Sequence, residues 1–173
     1  MNAPQSNYPL TIWAANSLRS TNQAQADDPT MNQPSPVFLI LSALLGAIAV
    51  AIGAMGSHSL PKRLEAQGFP QSQIDKKLHQ CDLATRYQMF HALAVLVLAV
   101  TGFCQRSRLA KASAIMMLIG TVGFSGGLYS MVFADEIIHW SIVPLGGSMF
   151  ILGWFSLATS AFFLGSKPKE ELR

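Results

Sequence analysis

The sequence predicts an all-α integral membrane protein: a bundle of four transmembrane helices with a short interfacial helix in the first loop. Composition gives the first reason, since half of the residues are hydrophobic and only 12% are charged, whereas soluble domains carry about 25% charged residues. The apolar residues also form long runs rather than amphipathic stripes. A soluble helical bundle would need polar faces that these runs lack.

Four runs are long enough to cross a bilayer, because about 20 helical residues span its hydrocarbon core. Their predicted bounds are 37–56, 84–104, 112–134 and 141–165. The uncharged stretches of these runs contain a single histidine, His91. They also contain glycines and a proline, which are commoner in transmembrane helices than in soluble ones. We therefore expect one four-span domain over residues 37–165.

Two polar segments flank that domain. Residues 1–36 are rich in Asn, Gln, Ser and Pro, and we expect them to be disordered because they lack the apolar content to bury a core. They have the features of neither a secretory signal nor a mitochondrial presequence. Met31 lies shortly before the first span and offers an alternative start of translation. Residues 166–173 form a short charged tail.

The distribution of Lys and Arg predicts that both termini are cytoplasmic, because short cytoplasmic loops carry the excess of basic residues. Basic residues occur in the second loop and in the C-terminal tail, at Arg106, Arg108, Lys111, Lys167, Lys169 and Arg173. The third loop holds Asp135 and Glu136 but neither Lys nor Arg. The long first loop weakens the prediction, since it also contains basic residues, partly balanced by acidic ones.

The first loop is long enough to carry local structure of its own. Residues 60–66 are expected to form the short interfacial helix. Ser72 and Asp75 resemble an N-cap and its acidic partner at the start of the second long helix. Asp82 and Arg86 stand at i, i+4 on that helix, a spacing that favours a weak ion pair.

Polar side chains inside the runs are the candidates for a site, because an unpartnered polar group in hydrocarbon is costly. Six of them fall in one leaflet and predict a shared polar pocket: His58, Tyr87, Gln88, His91, Ser125 and Tyr129. All except Tyr87 are expected to meet in one hydrogen-bonded group. Pro144 is expected to loosen the start of the fourth span beside it. The sequence leaves open whether such a pocket is functional or only joins the helices.

Glycines in the same runs predict close helix contacts, because small residues let two backbones approach each other. The candidate packing positions are Gly53, Gly56, Gly123, Gly127, Gly146 and Gly147. Gly123 and Gly127 have the GxxxG spacing, which is a weak signal in a span this rich in glycine.

Four ordered segments carry a resemblance to a known family. They are residues 53–60 (GAMGSHSL), 86–93 (RYQMFHAL), 124–129 (FSGGLY) and 144–147 (PLGG), the last followed by Gly153 and Trp154. Together they resemble the YgdD-like family of small four-span inner-membrane proteins of unknown function. The chain differs from the family pattern at Ser57, Ser59, Gly127 and Val143. The resemblance implies a plasma (inner) membrane location, but no reaction, substrate or cofactor.

The leading hypothesis is a non-enzymatic structural or oligomeric bundle, with the lipid bilayer and a second copy of the chain as partners and no nucleic acid. The sequence has no catalytic constellation, and His79 with Cys81 falls short of the three or four ligands of a zinc site. No catalytic, metal or cofactor residue is therefore predicted. The alternative is a transporter or proton-coupled element around His58 and His91, because histidine is the side chain that most readily serves as a proton carrier. A third hypothesis makes these two histidines the axial ligands of a haem.

Overall fold

The computed structural model of the chain describes residues 15–20, 33–134 and 141–165, with side chains up to residue 163. Four of its helices are long and apolar enough to cross a membrane. They are span 1 (Pro36–His58), span 2 (Gln71–Val100), span 3 (Arg108–Phe133) and span 4 (Ile142–Phe163). Within the described ranges no strand occurs. The predicted all-α membrane bundle is therefore confirmed.

Most of the two predicted tails lies outside the described residues. The described segment 15–20 is helical, which differs from the disorder expected throughout residues 1–36. The residues of this short helix are exposed. Hydrogen bonds within the segment support it, among them one from the Ser20 hydroxyl to the Ser17 carbonyl at 2.9 Å. The acidic residues of the third loop and the tail 166–173 also fall outside the described ranges.

Span 2 ends earlier than predicted because the chain turns at Gly102. This glycine has a φ of 65°, a left-handed conformation that other residues adopt at a cost. The helix therefore stops at Val100 instead of residue 104, and the short helix Phe103–Arg106 leads towards span 3. Span 3 begins at Arg108 rather than 112, because the Ser107 hydroxyl caps it by accepting a hydrogen bond from a first-turn amide at 3.3 Å.

The first loop contains the predicted short helix, Leu60–Ala66. Span 2 then starts at Gln71, with Pro70 as its N-cap residue. The cap expected at Ser72 is wrong, because Pro70 has the extended backbone of an N-cap residue and the helix begins directly after it. Asp75 instead accepts a hydrogen bond from the Gln71 side chain at 2.9 Å.

The spans pack in chain order around an apolar core. Span 1 lies along span 2, and span 3 packs against both span 2 and span 4. Phe38, Val95 and Met117 bring the first three spans together in one buried cluster, and Leu157 of span 4 packs against it. Within the described residues, spans 1 and 4 share almost no contact. The bundle is therefore open on one side, and spans 1 and 4 keep largely exposed apolar faces.

Glycines allow spans 3 and 4 to meet backbone to backbone. A Cβ atom added at Gly146 would lie 2.7 Å from the Gly123 carbonyl carbon and nearer still to the Phe124 amide nitrogen. Gly120 of span 3 is also crowded, since its added Cβ would lie 2.6 Å from the ring of Phe150 and 2.9 Å from the Gly146 carbonyl oxygen. These positions leave no room for a methyl group.

The other predicted packing glycines differ in how closely they are covered. On span 1, added Cβ atoms at Gly53 and Gly56 would lie 3.2 and 2.9 Å from side chains of span 2. On span 3, a Cβ at Gly127 would lie 2.8 Å from a side chain of span 4. Gly147 has more space, because its Cβ would meet the ring of Phe124 at an ordinary 3.6 Å. A side chain can therefore be added at this position.

Opposite Gly146, span 3 departs from α-helical geometry. Thr121–Ser125 is π-helical, a rare conformation that is often found at functional sites. The irregularity expected at Pro144 of span 4 is wrong. Pro144 lies in the first turn of its helix, where its missing N–H removes no intrahelical bond. The Leu145 amide still donates to the Ser141 carbonyl at 3.0 Å.

Gly146→Ala should destabilise the bundle, because the new methyl group would overlap the backbone of span 3. Overpacking of this kind costs about 1–3 kcal/mol. Gly147→Ala is the matched control on the neighbouring residue and should be nearly neutral, since its methyl group meets only the Phe124 ring. Thermal unfolding in mild detergent, followed by circular dichroism, compares the two variants. Equal unfolding midpoints would contradict the backbone contact.

Candidate functional site

Two buried polar side chains bond to backbone carbonyl groups of neighbouring spans. Gln88 Nε2 of span 2 donates to the Leu45 carbonyl of span 1 at 2.7 Å. Ser125 Oγ of span 3 donates to the Ala84 carbonyl of span 2 at 2.8 Å. A helical carbonyl has a second lone pair, so it can accept such a bond in addition to its own helix bond. These side chains join spans 1, 2 and 3 directly.

His91 links span 2 to span 4 and uses both ring nitrogens. Its Nδ1 lies 2.7 Å from the Tyr87 carbonyl oxygen, and the Trp154 indole Nε1 donates to its Nε2 at 3.2 Å. An indole N–H can only donate, so Nε2 is the acceptor and Nδ1 carries the proton that bonds the carbonyl. The buried ring also stacks on Phe150, with centroids 3.5 Å apart. This arrangement selects the neutral, Nδ1-protonated tautomer.

None of the other four expected members of the group bonds to His91, since Gln88 and Ser125 use the carbonyl groups described above. The Tyr129 hydroxyl lies 3.3 Å from Thr85 Oγ1, and that threonine donates to the Cys81 carbonyl at 2.8 Å. His58 is exposed at the end of span 1, and among the described residues it forms no hydrogen bond with the other predicted pocket residues. The expected single hydrogen-bonded group is therefore wrong, and the structure divides its members among separate contacts.

The register of spans 1 and 2 explains the position of His58. Gly56 of span 1 lies against Cys81 of span 2, so the antiparallel register places His58 near the level of residue 79. His91 lies about 12 residues further along span 2, or ~18 Å of helix. The same separation contradicts the haem hypothesis, because two axial ligands must bind one iron atom from its two sides.

An open groove of about 840 Å³ lies beside His91, between spans 2 and 4. Its walls are mostly aromatic and include Tyr87, Phe90, His91, Phe124, Phe150 and Trp154. The ring of Tyr87 lies 4.9 Å from that of Phe124, between centroids, and Phe124 lies 5.7 Å from Phe150. The predicted polar residues Tyr87 and His91 thus border an apolar groove instead of a polar pocket.

Charged side chains lie near the start of span 2, next to the first loop. The predicted Asp82–Arg86 pair forms, with Arg86 Nε 3.0 Å from Asp82 Oδ1, and it is exposed. Lys77 is buried, and its ammonium group donates to the Met131 and Val132 carbonyls at 3.0 and 3.2 Å. A cation there interacts favourably with the C-terminal end of span 3. Lys77 thus stabilises the end of a helix inside the fold.

Comparison with known proteins identifies the family. The family described as "Protein of unknown function (DUF423)" matches residues 52–147. A UPF0382 membrane protein of Haemophilus influenzae is 40% identical over 126 residues, which cover 72% of this chain and 93% of the relative. The chain belongs to the DUF423 family. The UPF0382 inner membrane protein YgdD of Escherichia coli (strain K12) is 34% identical over 135 residues, 77% of this chain and 95% of YgdD.

These relatives confirm the resemblance to YgdD-like proteins. This DUF423 protein is a multi-pass membrane protein, and its family is one of unknown function. No solved structure matches the chain.

Two partners of His91 in this DUF423 protein are not predicted from the sequence: Trp154 and Phe150. An indole N–H within an apolar run needs a hydrogen-bond acceptor. Because His91 is the single histidine of the uncharged stretches, it could have been predicted as the acceptor for Trp154. Phe150 carries no comparable signal, because its stacking depends on how spans 2 and 4 are rotated about their axes.

His91 and Trp154 should be energetically coupled. Trp154→Phe removes the indole donor and His91→Leu removes its acceptor, so the double variant should lose less stability than the sum of the single ones. Hydrogen bonds in membrane bundles average about 0.6 kcal/mol and reach about 1.7 kcal/mol by this method. We expect a coupling free energy in that range from reversible unfolding in mixed micelles.

The control is a second double-mutant cycle, in which His91→Leu is combined with Ser148→Ala instead of Trp154→Phe. The Ser148 hydroxyl bonds to the Pro144 carbonyl of its own helix at 3.0 Å, so its removal should show no coupling with His91→Leu. Equal coupling in both cycles, or none in either, would contradict the hydrogen bond between His91 and Trp154.

Proposed function

We propose that this protein is a non-catalytic structural bundle of the plasma (inner) membrane. The observation that carries the proposal is that Tyr87 and Trp154 engage both ring nitrogens of His91. A general acid or base must exchange a proton with its substrate, and this imidazole has no free nitrogen for that exchange. Gln88 and Ser125 are likewise used to join helices. The inner-membrane name of the relative YgdD supports the location.

Titratable groups give less support to the alternative of a proton-coupled transporter. That alternative needs a continuous pathway, and His58 and His91, its two proposed groups, lie ~18 Å apart along the helices. Across the described part of the chain, no three His, Cys, Asp or Glu side chains could hold a metal ion together. The geometry therefore favours a structural role.

Both termini are cytoplasmic in this proposal. Arg106 and Arg108 stand close together where spans 2 and 3 are joined. In the first loop, by contrast, Lys77 is buried against carbonyls of span 3 and Arg86 pairs with Asp82. The second loop thus has the denser group of basic residues beside the span ends, which the positive-inside rule counts.

Self-association belongs to the proposal because the open bundle leaves apolar faces exposed. Span 1 exposes Ile40, Leu44 and Ile48 at helical spacing, and span 4 exposes Phe155 and Phe162. Lipid also solvates such faces, so association between copies would depend on close packing rather than on a hydrophobic driving force. The proposed partners are the bilayer and a second copy of the chain, and nucleic acid is not among them.

A proteoliposome assay tests the structural role. Vesicles that contain the purified protein and a trapped pH-sensitive dye should show no more proton flux than empty vesicles, because His91 has no nitrogen available. His91→Leu is expected to leave both the flux and the helical content unchanged. A protein-dependent flux that disappears in His91→Leu but persists in His58→Leu, the exposed control, would contradict the proposal.

Reporter fusions test the orientation. A fusion after residue 165 and one within residues 105–111 should both read cytoplasmic, because both follow or lie within the basic segments. A fusion in the first loop, after Gln67, is the control and should read extracytoplasmic. An extracytoplasmic signal from the C-terminal fusion would reverse the assigned orientation.

A further inference from the structure

The groove beside His91 opens towards the surrounding lipid. The side chains along its opening are exposed, with Phe90 at 60%, Ile151 at 58% and Trp154 at 49%. Behind them, spans 2 and 4 share little contact in the described structure apart from the partners of His91. The volume of about 840 Å³ lies within the roughly 300–1,000 Å³ of small-molecule sites. A ligand would reach this site from within the membrane.

The groove has the depth of one leaflet. On span 4 its lining extends from Pro144 to Trp154, about ten residues or ~15 Å of helix. Half of the hydrocarbon core, which is about 30 Å thick, has the same length. Pro144 lies near the beginning of its helix, Ile142–Gly165, so the groove runs from the end of the span towards the middle of the bilayer.

The chemistry of the groove changes along this direction. Ser148 and Tyr87 provide hydroxyl groups nearer the end of the span, whereas Phe150 and Trp154 line the deeper part. His91 presents ring carbon atoms there, since both of its nitrogens are already bonded. Its stacking on Phe150 holds the aromatic wall in place before any ligand binds, which lowers the cost of ordering the site. Such a groove fits an unbranched apolar chain that enters from the membrane surface.

We propose that this groove binds an acyl chain of a phospholipid from the adjacent leaflet. Its opening towards lipid and its length of one leaflet select this ligand. The site goes beyond the structural role proposed above and does not depend on it.

Photolabelling of the full-length protein tests the proposal. The protein is reconstituted in phosphatidylcholine vesicles in which a small fraction of the lipid carries a diazirine on one acyl chain, and the labelled residues are mapped by mass spectrometry. Labelling should concentrate on Phe90 and Ile151 in the groove, compared with Ile40 and Leu44 on span 1. These four side chains have similar exposure, 60, 58, 58 and 56%. Equal labelling of the two pairs would overturn the proposal.

A variant that fills the groove gives the matched test. Gly147→Leu adds a side chain where a Cβ has space beside Phe124, and it should lose the excess label at Phe90 while the label at Ile40 stays constant. Gly46→Leu adds the same side chain to open space on span 1 and should leave the groove label unchanged. Unchanged groove labelling in Gly147→Leu would overturn the proposal.

Ser148→Leu, at an exposed position of the groove, replaces Gly147→Leu if the latter loses the circular dichroism spectrum of the wild type. The same loss of the excess groove label is expected, and its persistence would overturn the proposal.

A second arm distinguishes a phospholipid from a free fatty acid with the same chain. A diazirine fatty acid at equal mole fraction should label Phe90 and Ile151 no more strongly than the phospholipid does. Stronger labelling by the free acid would overturn the assignment to a phospholipid chain.

Discussion

Hydrogen bonds from side chains to backbone carbonyls connect each span to the one before it. Gln88 of span 2 donates to span 1, Ser125 of span 3 donates to span 2, and Ser156 of span 4 donates to the Leu109 carbonyl of span 3 at 2.9 Å. In hydrocarbon, water cannot replace these partners. The bonds therefore fix how far each helix is shifted along its neighbour. Among the described residues, the Ser113 hydroxyl is the one buried side-chain group that has no hydrogen-bond partner.

The π-helical segment of span 3 provides one of these hydrogen bonds and also contributes a side chain to the groove. It contains Phe124 and Ser125, and a π turn holds more residues than an α turn, so it changes the direction in which successive side chains leave the helix. Ser125 reaches the Ala84 carbonyl of span 2, whereas Phe124 lines the groove. Gly146 meets the same segment from span 4 without a side chain. Irregular geometry in one helix is thus matched by a missing side chain in the other.

The number of spans and the helix in the first loop could be predicted from the sequence, because the length and polarity of a run are local properties. The level of His58 relative to His91 could not, since it depends on the register between spans 1 and 2, which contacts such as Gly56 against Cys81 determine. The hydrogen-bond acceptors of Gln88 and Ser125 could not be predicted either. Every residue has a carbonyl group, so no sequence pattern marks the one that accepts a bond.

Spans 2 and 4 form the least constrained pair of neighbours in the bundle. Gly146 brings span 4 against span 3, and its connection to span 2 then relies on Trp154 and Phe150 at His91. A hydrogen bond in a membrane bundle averages about 0.6 kcal/mol, while each pair of atoms in van der Waals contact gains about 0.1–0.2 kcal/mol. An acyl chain gives up similar contacts with other lipid chains when it enters the groove, so it gains only where the aromatic wall packs more closely than the bilayer does. Lipid in the groove and the link between His91 and Trp154 should consequently stabilise the same arrangement of spans 2 and 4.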